Sequence, residues 1–234
     1  MTAVDDLTRT LDGCRPAVVA VSAVAHRTGR SYSYQGNLPF QTASVVKVQI
    51  VAALLLQAQR AGRGLTGAER ALAEAMITAS DNAAGSALWR AVGDVAGMAD
   101  ADARLGLADT RPGADGWWGL TMTTADDQAR LLTAIADPGG PLRHELSAYV
   151  LDLMARVAPD QAWGVSAAAA AGEPVAVKNG WMPRDDQGGR WTVNSVGRVG
   201  EVTLAVLSEG HANLRAGIDV VEEIARNVRA HLDR

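Results

Sequence analysis

Cysteine is almost missing from this 234-residue chain: Cys14 stands alone, which excludes an internal disulfide and leaves an inert thiol near the N-terminus. The four histidines are widely spaced and form no recognisable zinc pattern, so neither a metal nor a cofactor is expected. Long apolar runs are lacking as well. The longest, "IVAALLL" from Ile50 to Leu56, has far fewer than the about 20 residues that a membrane span needs. The opening "MTAVDDLTRTLDG" is polar and acidic, without the basic-then-apolar order of a secretion signal. A cytoplasmic protein is therefore expected, or an exported one whose signal has been removed. Net charge is −4, with Lys and Arg scattered, which argues against a nucleic acid or a membrane as partner. A monomer acting on a small molecule or peptide fits this balance.

What is present is apolar bulk, 48% of the residues, enough to bury a full core. Within it lies "FQTASVVKVQIVAALLLQAQ", Phe40 to Gln59, whose interior reads as a buried helix interrupted only by Lys47 and Gln49. At about 100° per residue, Ser44, Ile50, Val51 and Leu54 surround Lys47 on the wheel. An unpaired ammonium in such a place is costly. Ser44 and Lys47, at i and i+3, bring a hydroxyl and an amine together at a helix start. Burial and a second cation would favour the neutral amine, which can take a serine proton in nucleophilic catalysis.

Strand signals cluster at both ends of the chain. "AVVAVSAVAHRTGRSYSYQGNLPF" reads as two strands around "RTGR", and "EPVAVKNGW", "GRWTVNSVGRV" and "EVTLAVLSEG" read as three more before a last helix. Helical patterns fill the middle, among them "TGAERALAEAMITA" with Thr66 and Glu69 at capping-box spacing. An α+β fold follows: one antiparallel sheet built from both chain ends (about 1–40 and 160–234), flanked by helices, with an all-helical lobe (about 41–159) inserted. The chain is expected to form one catalytic domain.

Two further stretches accompany Ser44 and Lys47. In "TASDNAAGSALW" the residues Ser80, Asp81 and Asn82 read equally as caps ahead of a helix. In "VAVKNGW" Lys178 alone would be an ordinary strand lysine. Their order and setting resemble the S-x-x-K, S-D-N and K-T-G set of the serine β-lactamases and penicillin-binding DD-peptidases, over almost the whole chain and closest to class A β-lactamases. "TASVVKV", "WGLTMTTADDQARLL", "PDQAWGVS" and "KNGW" further resemble a group of actinobacterial β-lactamase-like serine hydrolases.

The resemblance implies that Ser44 is the acylated nucleophile and Lys47 its base or proton relay. It implies that Ser80 passes a proton to the leaving nitrogen, that Lys178 holds Ser80 and a substrate anion, and that Asn82 binds the substrate amide. Gly180 and Trp181 would line the substrate, with an oxyanion hole from the N–H groups of Ser44 and Trp181. Arg198 could bind a carboxylate or form a surface ion pair, and Trp117, Trp118 and Trp163 could wall the cleft or pack beneath it. Two departures stand out. Asn179, expected to bind the substrate by donating from a longer arm, replaces the Thr or Ser of the third motif, and no Glu occurs from residue 75 to residue 144, where class A enzymes carry the glutamate that activates the deacylating water. Asp115 is the one carboxylate in "TRPGADGWWGLTMTT" and reads as a turn former, so slow deacylation of a lactam or related amide is expected.

Overall fold

The computed structural model describes residues 3–14 and 17–234, so Met1 and Thr2 of the polar N-terminal stretch lie outside the described residues. Five strands form the sheet: β1 (Val18–Ala25), β2 (Arg30–Tyr34), β5 (Val175–Arg184), β6 (Arg190–Val199) and β7 (Val202–Glu209). Their order is β2-β1-β7-β6-β5, with every pairing antiparallel. Between the two halves of the sheet run a small ribbon, β3 (Phe40–Gln41) with β4 (Met122–Thr123), and six helices. These are α2 (Val46–Arg60), α3 (Gly67–Thr78), α4 (Asn82–Ala91), α5 (Asp94–Leu105), α6 (Ala125–Ala136) and α7 (His144–Ala155). A terminal helix α8 (Leu214–Leu232) follows β7.

Period-two alternation divides β1, β5, β6 and β7 between two cores. On one face Val21, Val177, Val193 and Val206 pack with Val221, Ile224 and Val228 of α8. On the other, Ala20, Ala176, Val196 and Leu207 meet the helical lobe, centred on α2. Twelve of the fifteen residues of α2 are buried, so this helix is held by packing on all sides; each fully buried Leu, Ile or Val contributes about 1.5–3 kcal/mol. The capping box of α3 forms as its spacing predicts, Thr66 accepting from the Glu69 N–H and Glu69 from the Thr66 N–H.

The N-terminal segment differs from its reading as a bare polar stretch, because it forms helix α1 (Ala3–Asp12). Leu7 and Leu11, one turn apart, are buried in the core that faces α8 and dock the helix there. Among the described residues no helix is long and apolar enough to cross a membrane.

Candidate active site

Ser44 sits in a short 3₁₀ turn, Ala43–Val45, that runs directly into α2. The turn is reached through a strained step, since Ala43 has φ +47°, a left-handed conformation that a residue with a Cβ rarely adopts. Its surroundings hold it there. The Thr42 N–H donates to Thr121 O at 2.8 Å, and the Asn194 amide donates to Gln41 O and Thr42 O at 2.8 and 3.1 Å. Gly180 of β5 lies against the same turn. A Cβ at Gly180 would stand 2.6 Å from the Ser44 nitrogen and 2.7 Å from Thr42 O, so only glycine lets the strand approach this closely.

Lys47, in the first turn of α2, is fully buried. Its Nζ donates to Ser80 O at 2.6 Å, Ser80 Oγ at 3.1 Å and Asn82 Oδ1 at 2.8 Å, so its three protons are aimed at the second motif. Ser80 can offer both oxygens because it too is left-handed, with φ +56°. Asp81 caps α4, accepting from the Ala84 N–H at 2.7 Å, and thereby fixes Asn82 as the first helical residue. From β5, Lys178 Nζ donates to the same Ser80 Oγ at 3.0 Å and to Asn179 O at 2.9 Å. Burial pushes the Lys47 amine down to about 8, with Asp81 pulling partly the other way. Burial pushes Lys178 down to about 7, and the neighbouring Lys47 charge adds to the shift. Two amines of lowered basicity thus share one hydroxyl, an arrangement suited to moving protons near neutral pH.

The geometry brings Ser44, Lys47, Ser80, Asn82, Lys178 and Gly180 together, with Trp181 next along β5. It turns two of the expected residues elsewhere. Asn179 follows Lys178 on a strand, so it faces the opposite side of the sheet, where its amide donates to Gln161 O and Trp163 O at 2.8 and 2.9 Å. It anchors a loop and does not face the nucleophile. Arg198 stands opposite Ala176 on β6, whereas Gly180 stands opposite Asn194. There Arg198 pairs with Glu201 at 2.8 Å and donates to Gly200 O, the surface ion pair of its two readings.

In the loop before β4, Trp118 and Trp117 part company. Trp117 is 68% exposed, while the half-buried Trp118 lies with its ring centroid 4.9 Å from Lys47 Nζ. Trp163 stacks at a tilt on Trp181, with centroids 5.5 Å apart. Asp115 is exposed, at φ +53° beside Gly116, which is the turn geometry its setting suggested. Burial raises the Cys14 thiol further above neutrality. Among the described residues no cluster of His, Cys, Asp or Glu is placed to hold a metal ion.

Sequence reasoning missed Asn194, whose signal was a polar residue in an otherwise apolar strand run. It also missed a simpler one: Lys47 and Lys178 are the only lysines in the chain, every other basic side chain except histidine being arginine.

The fold is that of the serine β-lactamase and penicillin-binding protein superfamily. Residues 63–232 match the beta-lactamase enzyme family, and the chain belongs to that family. The matched span includes Ser80 and Lys178. Among curated proteins it is 30% identical over 172 residues to "Putative lipoprotein LppW" of Mycobacterium tuberculosis, covering 71% of this chain and 54% of the relative. The chain therefore spans about half the length of the curated relatives it matches. Two solved structures show the fold. A β-lactamase from Desulfarculus baarsii aligns with TM-score 0.82 at 18% identity, over 100% of this chain and 99% of its own. The structure of PBP-A aligns with TM-score 0.85 at 18% identity, over 99% of this chain and 96% of its own.

Proposed function

We propose that the protein is an active-site serine hydrolase of the class A β-lactamase type, acylated at Ser44 by a β-lactam or a related cyclic amide. The observation that carries this reading is the meeting of Lys47 and Lys178 on the Ser80 hydroxyl, with Ser44 one helical turn from Lys47. Ser44 Oγ attacks the amide carbonyl while its proton passes to the neutral Lys47 amine. The Ser44 and Trp181 N–H groups receive the oxyanion, a donor of this kind being worth about 10²–10³ in rate. As the carbon–nitrogen bond breaks, Ser80 delivers a proton to the leaving nitrogen and is replenished through the adjoining lysines. Asn82 orients the amide side chain, and Lys178 faces the substrate's anionic group.

Deacylation needs a second base, and the Thr110–Thr124 segment offers only Asp115, an exposed turn residue. Absence of a placed base costs about 10²–10⁴, so the acyl-enzyme accumulates. Stopped-flow mixing with a chromogenic cephalosporin should give a burst of about one equivalent and then a slow steady state. Ser44→Ala should abolish both phases, and Asp115→Asn should change neither. A reaction without a burst contradicts slow deacylation; turnover by Ser44→Ala contradicts the reading itself.

A second reading follows from the name of the mycobacterial relative, which describes a lipoprotein. If this chain shares an exported setting, the same acyl-serine chemistry would serve a peptidase or acyltransferase on a cell-wall amide. Peptide release or transfer at Ser44, with no lactam adduct, selects it.

A further inference from the structure

Trp118 is built into the site more firmly than a packing residue requires. Its indole N–H donates to Ser86 Oγ of α4 at 3.1 Å, which fixes the plane of the ring. The loop beneath it is braced by its own backbone: the Trp117 N–H donates to Ala114 O, the Leu120 N–H to Trp117 O and the Thr121 N–H to Trp118 O. Gly85 leaves the space that the stack occupies, since a Cβ there would sit 3.3 Å from Lys47 Cε and 3.5 Å from Trp118 Cζ2. The result is a ring face 4.9 Å from a buried amine, inside the range at which an aromatic quadrupole attracts a cation. The charged groups facing Lys47 from its neighbours are Asp81 at the start of α4 and Lys178 of β5. Among the described residues Lys47 has no ion pair with a carboxylate, and the loop that carries Trp118 brings a ring to it instead.

We propose that Trp118 is a positioning residue for Lys47, an uncharged aromatic counter-group that holds the ammonium against the loop and sets the pH at which the amine can take the Ser44 proton. The second half of this statement rests on the acyl-serine reading above. The ring acts in two ways. It shuts water away from the Lys47 stem, which favours the neutral amine, and its face favours the ammonium. Replacing it by Leu keeps the first effect and removes the second.

The chain's composition makes the test direct, because a protein labelled with ¹³Cε-lysine carries only two lysine side-chain signals, Lys47 and Lys178. A Lys178→Arg variant assigns them. In the wild type the Lys47 signal is displaced by the indole ring current. In Trp118→Leu that displacement disappears, and the Lys47 titration midpoint falls by about one pH unit, the scale of a partly desolvated cation–π contact. Trp118→Phe, which keeps a ring without its N–H, restores most of both. The acidic limb of the acylation rate moves with the midpoint. An unmoved or raised Lys47 midpoint in Trp118→Leu overturns the proposal whether or not the protein acylates. A lowered midpoint without any acyl adduct at Ser44 overturns the serine-hydrolase reading and leaves the hold of Trp118 on Lys47 standing.

Discussion

Lys47 and Lys178 both reach the Ser80 hydroxyl, their amines lying 3.1 and 3.0 Å from it. Each is buried, which lowers its basicity, and the Lys47 charge lowers that of Lys178 further. The arrangement costs stability wherever both are charged. Lys178 titrates near 7 when folded but near 10.4 when unfolded, so the unfolded chain binds more protons between those values and stability rises with pH across that window. Below it the penalty is fully present. Urea unfolding of the wild type and Lys178→Met at pH 6.5 and pH 9 should show the wild type gaining on the variant, with a slope of up to about 1.4 kcal/mol per pH unit. A difference that does not change with pH would mean that Lys178 is not held at lowered basicity.

Ser80 serves Lys47 with two oxygens only because its backbone is left-handed. Ser80→Gly keeps the carbonyl and relieves the strain, whereas Ser80→Ala keeps the strain. The Gly variant should be the more stable of the two by about 0.5–1 kcal/mol in thermal unfolding. Both should lose acylation by about 10²-fold, the scale of a missing proton-transfer group. Equal activity in Ser80→Gly and the wild type would show that the carbonyl alone is needed.

Asn179 gives a prediction of the opposite kind. Its amide satisfies the carbonyls of Gln161 and Trp163 on the far face of β5. Asn179→Ala should destabilise the fold by about 1–3 kcal/mol through those two orphaned oxygens while changing the acylation rate less than threefold. A large loss of rate with unchanged melting would return Asn179 to the substrate side.

The sheet, the inserted helices and the pairing of Ser44 with Lys47 were legible because each rests on a short-range period. Three-residue spacing puts two helical side chains on one face, and the apolar runs of β5, β6 and β7 carry their own turn signals. Asn179 was misjudged by reading a motif as a line of neighbours: on a strand, Lys178 and Gly180 share a face and Asn179 takes the other. Arg198 lies on the same face as Lys178, but the register of β6 carries it four residues past Asn194, beyond the site. Which of Trp117 and Trp118 turns inward depends on a loop conformation set by Gly113, Gly116 and backbone bonds that no periodicity encodes. Helix α1 was missed because its sequence reads as polar and acidic, although Leu7 and Leu11, one turn apart, anchor it.

A buried acid outside the site gives an independent check on the helical lobe. Asp102 of α5 accepts from the Gln49 amide of α2, yet its other oxygen and the Gln49 carbonyl oxygen have no partner. Burial raises the carboxyl to about 7, with nearby Asp127 adding to the shift. A raised acid stabilises the fold fully below its unfolded value near 3.9 and loses that contribution as pH rises through its folded value. Asp102→Asn should therefore raise stability at pH 8 by about 1–3 kcal/mol and have little effect at pH 4, read by denaturant unfolding. A variant equally destabilised at both values would show that the carboxylate itself is required.

The claim that Ser44 is an acylated nucleophile is tested most directly by intact-protein mass spectrometry after mixing with a penicillin or a cephalosporin. The account predicts one added acyl mass on the wild-type chain, localised to the peptide containing Ser44, persisting for many times the mixing period and absent from Ser44→Ala. A wild-type chain of unchanged mass with every lactam tried, and no turnover of a chromogenic cephalosporin, would contradict it.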